Sequence, residues 1–163
     1  MSACVQVSLR VTATPQRAFE VFTRDIALWW RPNMLFQVGP GRPGVLSFEP
    51  GEGGRLVETC RDGSVFEIGT ITAWEPGVRL AFGWRQANFG PDQATEVEVS
   101  FTAVGDQTRV TVEHRGWNSV PQGHVARHGF PEGIFLQRNG EWWQALLAAY
   151  RGQVARPDAA SRP

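Results

Sequence analysis

The sequence predicts an α+β domain in which a curved antiparallel sheet of six to seven strands wraps around one long C-terminal helix. Three observations carry that prediction. The first segment alternates apolar and polar residues; a series of short alternating segments punctuated by Gly, Pro and Asp fills the middle; and a long apolar stripe with helical spacing lies near the C-terminus. The 163 residues suit one domain, expected over 1–152, with 153–163 as a disordered tail.

Residues 3–13 set Val5, Val7, Leu9 and Val11 against polar neighbours, the period of a half-buried strand. Thr14-Pro15 then opens a helix, because Thr14 can cap free N–H groups and Pro15 loses nothing at the first helical position. A second short helix is expected over 25–30, stopped by Pro32. Residues 37–54 are rich in Gly and Pro and read as a long loop holding a short strand at 45–48. A strand at 55–60 is followed by Arg61-Asp62-Gly63, which has hairpin chemistry. In the next strand, 65–74, the apolar phase switches between Phe66/Ile68 and Ile71/Ala73. A bulge at Gly69 would bring both pairs to one face.

Glu75-Pro76-Gly77 turns the chain into 79–84, where Leu80, Phe82 and Trp84 share a face. After a loop at 86–94, Val97, Val99 and Phe101 alternate against Glu96, Glu98 and Ser100. Val110, Val112 and His114 do the same in the following strand, and residues 104–107 supply the hairpin between the two. Residues 116–130 are expected to be irregular or partly helical. A helix over 131–152 presents Trp142, Leu146, Ala149 and Tyr150 on one side, broadened by Trp143 and Leu147, with Gly140 as a point of kinking or close packing. It alone is long and apolar enough to cover the sheet.

Acidic and basic residues number 16 each, so the chain lacks the basic surface that a nucleic-acid partner requires. No apolar run reaches the ~20 residues of a membrane span, and the N-terminus has no signal-peptide pattern, so a cytoplasmic location is expected. Cys4 and Cys60 read as two small buried or half-buried side chains, not as a disulfide framework. Seven Trp and ten Phe are the unusual feature, useful for packing or for lining a pocket.

The order and spacing of several pieces resemble a known family. They are Thr14-Pro15 with Ala18-Phe19-Glu20-Val21-Phe22; Trp29-Trp30; Gly53-Gly54-Arg55 with Asp62-Gly63; Gly69-Thr70-Ile71 with Trp74-Glu75-Pro76; Arg79-Leu80-Ala81-Phe82-Gly83-Trp84; and the strands at 95–101 and 108–114. Together, from about Val5 to Gly152, they resemble the activator-of-heat-shock-protein-90-ATPase homologue family of the START-like (SRPBCC) superfamily. Where members commonly show Gly-Trp, this chain reads Gly140-Glu141-Trp142-Trp143. The resemblance implies a helix-grip fold with an internal cavity. It supplies no reaction, since the superfamily includes lipid carriers, cyclases, hormone receptors and co-chaperone domains.

The residues expected to line such a cavity are Trp30, Phe36, Phe66, Ile68, Phe82, Trp84, Val99, Phe101, His114, Trp117, Trp142 and Leu146. The competing reading is that these side chains fill the space themselves. His114 has inward parity and could bond a ligand or act as acid or base; the plainer reading is an interior histidine satisfied by backbone or by Trp117. His124 and His128 have the i, i+4 spacing of a metal pair but lack the Glu of a zinc-protease motif, so neither metal nor cofactor is expected, and their segment could serve as a lid. Arg85, Arg115 and Glu58 could rim a pocket, although surface charge is the commoner role. No phosphate loop and no activated nucleophile is evident, so nucleophilic catalysis finds no support and the balance leans away from an enzyme. The expected function is binding of a hydrophobic or aromatic small molecule. The alternatives are a cyclase- or hydrolase-type enzyme using the same cavity and a co-chaperone-like interaction domain, and an exposed sheet edge could support a homodimer.

Overall fold

The computed structural model describes residues 4–30, 44–86, 89–90, 92–120, 123–124, 126 and 129–156. Strand β1 (Cys4–Val11) leads into helices α1 (Pro15–Thr23) and α2 (Ile26–Trp29). Six further strands follow: β2 (Val45–Phe48), β3 (Arg55–Thr59), β4 (Val65–Glu75), β5 (Arg79–Trp84), β6 (Thr95–Val104) and β7 (Gln107–Arg115). A 3-10 turn, Trp117–Ser119, precedes helix α3 (Glu132–Val154). The strands form one seven-stranded sheet in the order β1-β7-β6-β5-β4-β3-β2, with every pair antiparallel. The expected α+β architecture is the one observed.

Each element follows from its local chemistry. Thr14 Oγ1 accepts from the Arg17 N–H at 3.1 Å, and Pro15 occupies the first turn of α1. Val78 N–H bonds Glu75 O at 2.8 Å across Pro76-Gly77, with Gly77 at φ +77°, the sequence signature of a type II turn. Asp62 Oδ1 accepts from both the backbone N–H and the hydroxyl of Ser64, closing the β3–β4 hairpin.

The phase switch in β4 has a geometric cause. Register shifts between Leu56 and Val57 against β3, and again between Ile71 and Ala73 against β5. Ile68, Ile71 and Ala73 all end up buried. At Gly69 a Cβ would stand 1.9 Å from the Gly83 carbonyl oxygen, so the two backbones touch where the sheet bends.

The concave face carries Leu80, Phe82, Trp84, Val97, Val99, Phe101, Val110 and Val112, all buried. Helix α3 covers it with Phe135, Trp142, Trp143, Leu146, Leu147 and Tyr150. Burying side chains of this kind contributes about 1.5–3 kcal/mol each. α3 runs two residues beyond the expected end at Gly152, because Val154 is buried against the core; residues 157–163 of the expected tail lie outside the described residues. Gly140 does not break the helix: a Cβ there would sit 3.6 Å from Val5 Cγ1, so it serves close packing on β1. Among the described residues no helix is long and apolar enough to cross a membrane.

Two glycine replacements test this account. Gly69→Ala should lower unfolding free energy by roughly 3 kcal/mol, the upper end of overpacking costs. Gly152→Ala meets nothing within 4 Å and should raise it by about 0.5–1 kcal/mol. Urea denaturation of both variants measures the difference in sign.

Candidate functional site: an aromatic seam between the sheet and the last helix

The seam is built where the C-terminal end of β5, the end of β7 and the middle of α3 meet. Trp84 closes β5, and its ring centroid lies 5.4 Å from Trp30 and 5.5 Å from Trp142. Trp30 follows α2 and stands edge-on to Trp142 at 5.6 Å and to Trp143 at 5.8 Å. Gly116, at φ +93°, lets the chain leave β7 and fold Trp117 back to 5.0 Å from His114. Trp117 also meets Phe135 at 4.8 Å and Phe89 at 5.9 Å. These separations are the preferred range for tilted and edge-to-face pairs.

His114 sits fully buried at the centre of a hydrogen-bonded relay. Trp143 Nε1–H donates to His114 Nδ1 at 3.1 Å, so Nδ1 carries no proton. The proton of the neutral ring is therefore on Nε2, which donates to Thr95 Oγ1 at 2.8 Å. The Thr95 hydroxyl then donates to Trp84 O at 2.8 Å. Loss of hydration pushes the His114 pKa down to about 3. Both ring nitrogens are used internally, so the plainer of the two sequence readings describes this histidine, with Trp143 and Thr95 as partners. A general acid or base must reach substrate; in this arrangement both nitrogens of His114 are bonded inside the fold.

The other expected lining residues divide into three groups. Trp84, Trp142, Trp117 and Trp30 meet in the seam with His114. Ile68, Phe82, Val99, Phe101 and Leu146 are buried in the same core, and Phe66 is half-buried beside it. Within that core Phe101 packs against α1, with Phe19 at 5.4 Å and Phe22 at 6.1 Å. Phe36 lies outside the described residues, as does His128. The Nδ1 of His124 accepts from the Ala126 N–H at 3.0 Å, which occupies one of its two nitrogens.

Among the described residues, four buried side chains on the seam and the adjoining concave face hold polar atoms without a hydrogen-bond partner: Trp84 Nε1, Gln86 Oε1, Glu58 Oε1 and both amide atoms of Asn139. Of these, Trp84 and Glu58 are legible in the sequence, the first as a lining ring and the second as a rim charge. Glu58 is instead buried, 3% exposed, between Leu46 and Phe66 in the strand register. The signals for the missed ones were present. Asn139 falls on the apolar stripe of Phe135, Trp142 and Leu146, and Gln86 continues the inward parity of Phe82 and Trp84.

Arg115 and Arg85 do not join the seam. Arg115 bonds Glu96, Glu98 and Glu113 on the convex face, where Arg79 also holds Glu98 at 2.7 Å; those bonds keep the Glu98 carboxyl below its ordinary pKa, Arg79 foremost. Arg85 bonds the carbonyls of Phe89 and Gly90. Cys4 is exposed, against expectation, because at the first position of β1 it faces away from the core; Cys60 is half-buried, and both are free thiols. A separate cleft of about 390 Å³ opens between α1 and the β2–β4 end of the sheet, with Phe19, Phe48 and Trp74 as its apolar walls and Glu20 and Arg24 at its rim.

The depressed pKa of His114 makes stability pH-dependent with a definite sign. The unfolded ring binds a proton near pH 6.5 and the folded ring only near pH 3, so this contribution is full above 6.5 and is lost as pH falls toward 3. Urea titrations should show the wild type losing roughly 2–3 kcal/mol through this group between pH 6.5 and 4.5. His114→Gln, which lacks the titrating ring, should be less stable at pH 7 and should lack that component. An unchanged pH slope in the variant contradicts the assignment.

Comparison with known proteins agrees with the fold. No curated protein matches the chain. Among solved structures, protein MLL2253 from Mesorhizobium loti matches with a TM-score of 0.66 and 18% identity, over 95% of this chain and 98% of that one. DynU16, a putative protein of the dynemicin biosynthetic locus, matches with a TM-score of 0.63 and 22% identity, over 92% of this chain and 46% of that one. The Aha1 dimer from Colwellia psychrerythraea matches with a TM-score of 0.62 and 15% identity, over 93% and 95%. At such identities these likenesses concern the fold alone. The family model described as "Activator of Hsp90 ATPase homolog 1-like protein" matches residues 12–146, most of the described sheet and α3, and the chain belongs to that family.

Proposed function

We propose that the protein binds an apolar, aromatic small molecule at the seam between the concave face of the sheet and α3. The observation that carries this reading is the burial of the Trp84 indole N–H and of the whole Asn139 amide with no hydrogen-bond partner among the described residues, beside a wall of tryptophans. A buried polar group left unpaired costs about 1–3 kcal/mol, and such groups concentrate where function requires them. Aromatic walls with a few convergent polar atoms are the ordinary composition of a small-molecule site.

The ring contacts within the seam mean that a guest must displace or spread side chains, not enter a rigid void. Trp30 is the side chain placed to move. It is only half-buried and stands after the four-residue helix α2, whereas Trp84, Trp142 and Trp143 are held on a strand and a long helix. An enzymatic reading receives no comparable support, because His114, the titratable ring in the seam among the described residues, is internally bonded on both nitrogens.

Thermal denaturation of the full chain against a panel of apolar aromatic compounds tests the proposal. A compound at about 100 times its Kd stabilises the native state by about 2.7 kcal/mol, which is roughly 5–11 °C for a chain of this size. Trp84→Phe keeps the ring and removes the N–H; it should weaken a hit that bears an acceptor several-fold. A panel without any shift overturns the proposal.

A further inference from the structure

We propose that the cleft between α1 and the β2–β4 end of the sheet binds an alkylated ammonium group, held against Phe19, Phe48 and Trp74 and beside the Glu20 carboxylate. The cleft is a site separate from the seam, and the inference does not depend on what the seam binds.

Three elements build the cleft. Phe19 and Glu20 belong to α1, Phe48 ends β2, and Trp74 lies next to the end of β4. Gln16, Glu20, Thr23 and Arg24 recur at helical spacing, so one stripe of α1 faces the opening. Trp74 is the ring that joins the other two. Its centroid is 5.2 Å from that of Phe19 and 6.4 Å from that of Phe48, and both planes are steep to it, at 86° and 63°. A group lodged in such an angle meets more than one π surface. Phe48 and Trp74 are only half-buried, so ring surface stays open to the cleft. Its volume of about 390 Å³ lies within the range of small-molecule sites.

The polar groups select the sign of the charge. Glu20 Oε1 accepts from the neutral Gln16 amide at 3.4 Å, and Glu20 forms no ion pair among the described residues. Arg24 Nε stands 3.3 Å from Asp25 Oδ1, so the opposite charge at the rim is answered outside the cleft. The Thr23 hydroxyl donates to Phe19 O at 2.9 Å, and Pro50 and Pro76 bring no backbone N–H. An anion finds few donors there, whereas a cation finds ring faces and a carboxylate. Alkylation narrows the class of cation. A primary ammonium carries three N–H groups that need acceptors, and the carboxylate cannot serve all of them; methyl groups replace those donors and pack on the rings.

Choline and its uncharged carbon isostere 3,3-dimethylbutan-1-ol, titrated into the labelled full chain at pH 7, test the inference through the indole N–H resonances. Choline should shift the Trp74 resonance and bind at least about ten-fold more tightly than the isostere. Glu20→Gln should weaken choline by about three-fold and leave the isostere within about 1.5-fold, since the side chain is half-exposed and its charge acts through a partly wet cleft. Added sodium chloride should weaken choline and not the isostere. Equal affinities, a choline preference undiminished by Glu20→Gln, a Trp74 resonance unmoved by choline, or shifts confined to other indoles overturn the inference. Each of those results leaves the proposal for the seam standing, because the seam is probed by uncharged aromatic compounds and reported by Trp84.

Discussion

The rotation of α3 about its own axis decides what the concave face contains. Two hydrogen bonds fix it. Trp143 Nε1–H donates to His114 Nδ1, tying the middle of the helix to β7, and the Tyr150 hydroxyl donates to Ala18 O at 2.7 Å, tying its last turns to α1. Apolar packing alone is non-directional and would tolerate a helix rotated by a fraction of a turn. A buried N–H deprived of its acceptor is far less tolerant. With these bonds made, Trp142 faces Trp84, and Asn139 is buried with its amide lacking a hydrogen-bond partner among the described residues.

The same constraint separates two electrostatic environments on one sheet. Glu96, Glu98 and Glu113 point to the convex side, where Arg79 and Arg115 link them across β5, β6 and β7. Their alternation partners Val97, Val99, Val112 and His114 point inward and lie out of water. Exposed ion pairs of this kind add about 0–1 kcal/mol each; the burial of the opposite face supplies most of the stability. Charge on the convex side is thus compatible with a histidine that stays neutral one residue away.

Period and punctuation made the architecture legible in the sequence. Strict alternation in β6 and β7 marks Val97, Val99, Phe101, Val110, Val112 and His114 as inward, and the phase switch around Gly69 marks the bulged strand; the buried Thr95 and Thr108 carry no such apolar signal. The limits of that reading are physical as well. Parity says which side a residue faces but not what its polar atoms find there, so the Trp143 and Thr95 partners of His114, which arise only when β6, β7 and α3 converge, lay beyond it. Residue type alone makes Glu58 a pocket-rim or surface charge, because carboxylates are seldom buried; its position between Leu46 and Phe66 overrides that preference. Cys4 was misplaced for a simpler reason: it has the outward parity of its strand.

Whether the seam receives a guest can be read most directly from its own indole groups. The chain has seven tryptophans, so its indole N–H resonances form a small set that single replacements can assign. The account predicts that an aromatic compound added to the labelled protein shifts the Trp84 resonance, whose N–H is unpartnered, and leaves that of Trp29, bonded to Val21 O at 3.1 Å, in place. A Trp84 resonance unmoved at saturating, millimolar-range aromatic probe, or a displacement of Trp29 alone, would contradict it.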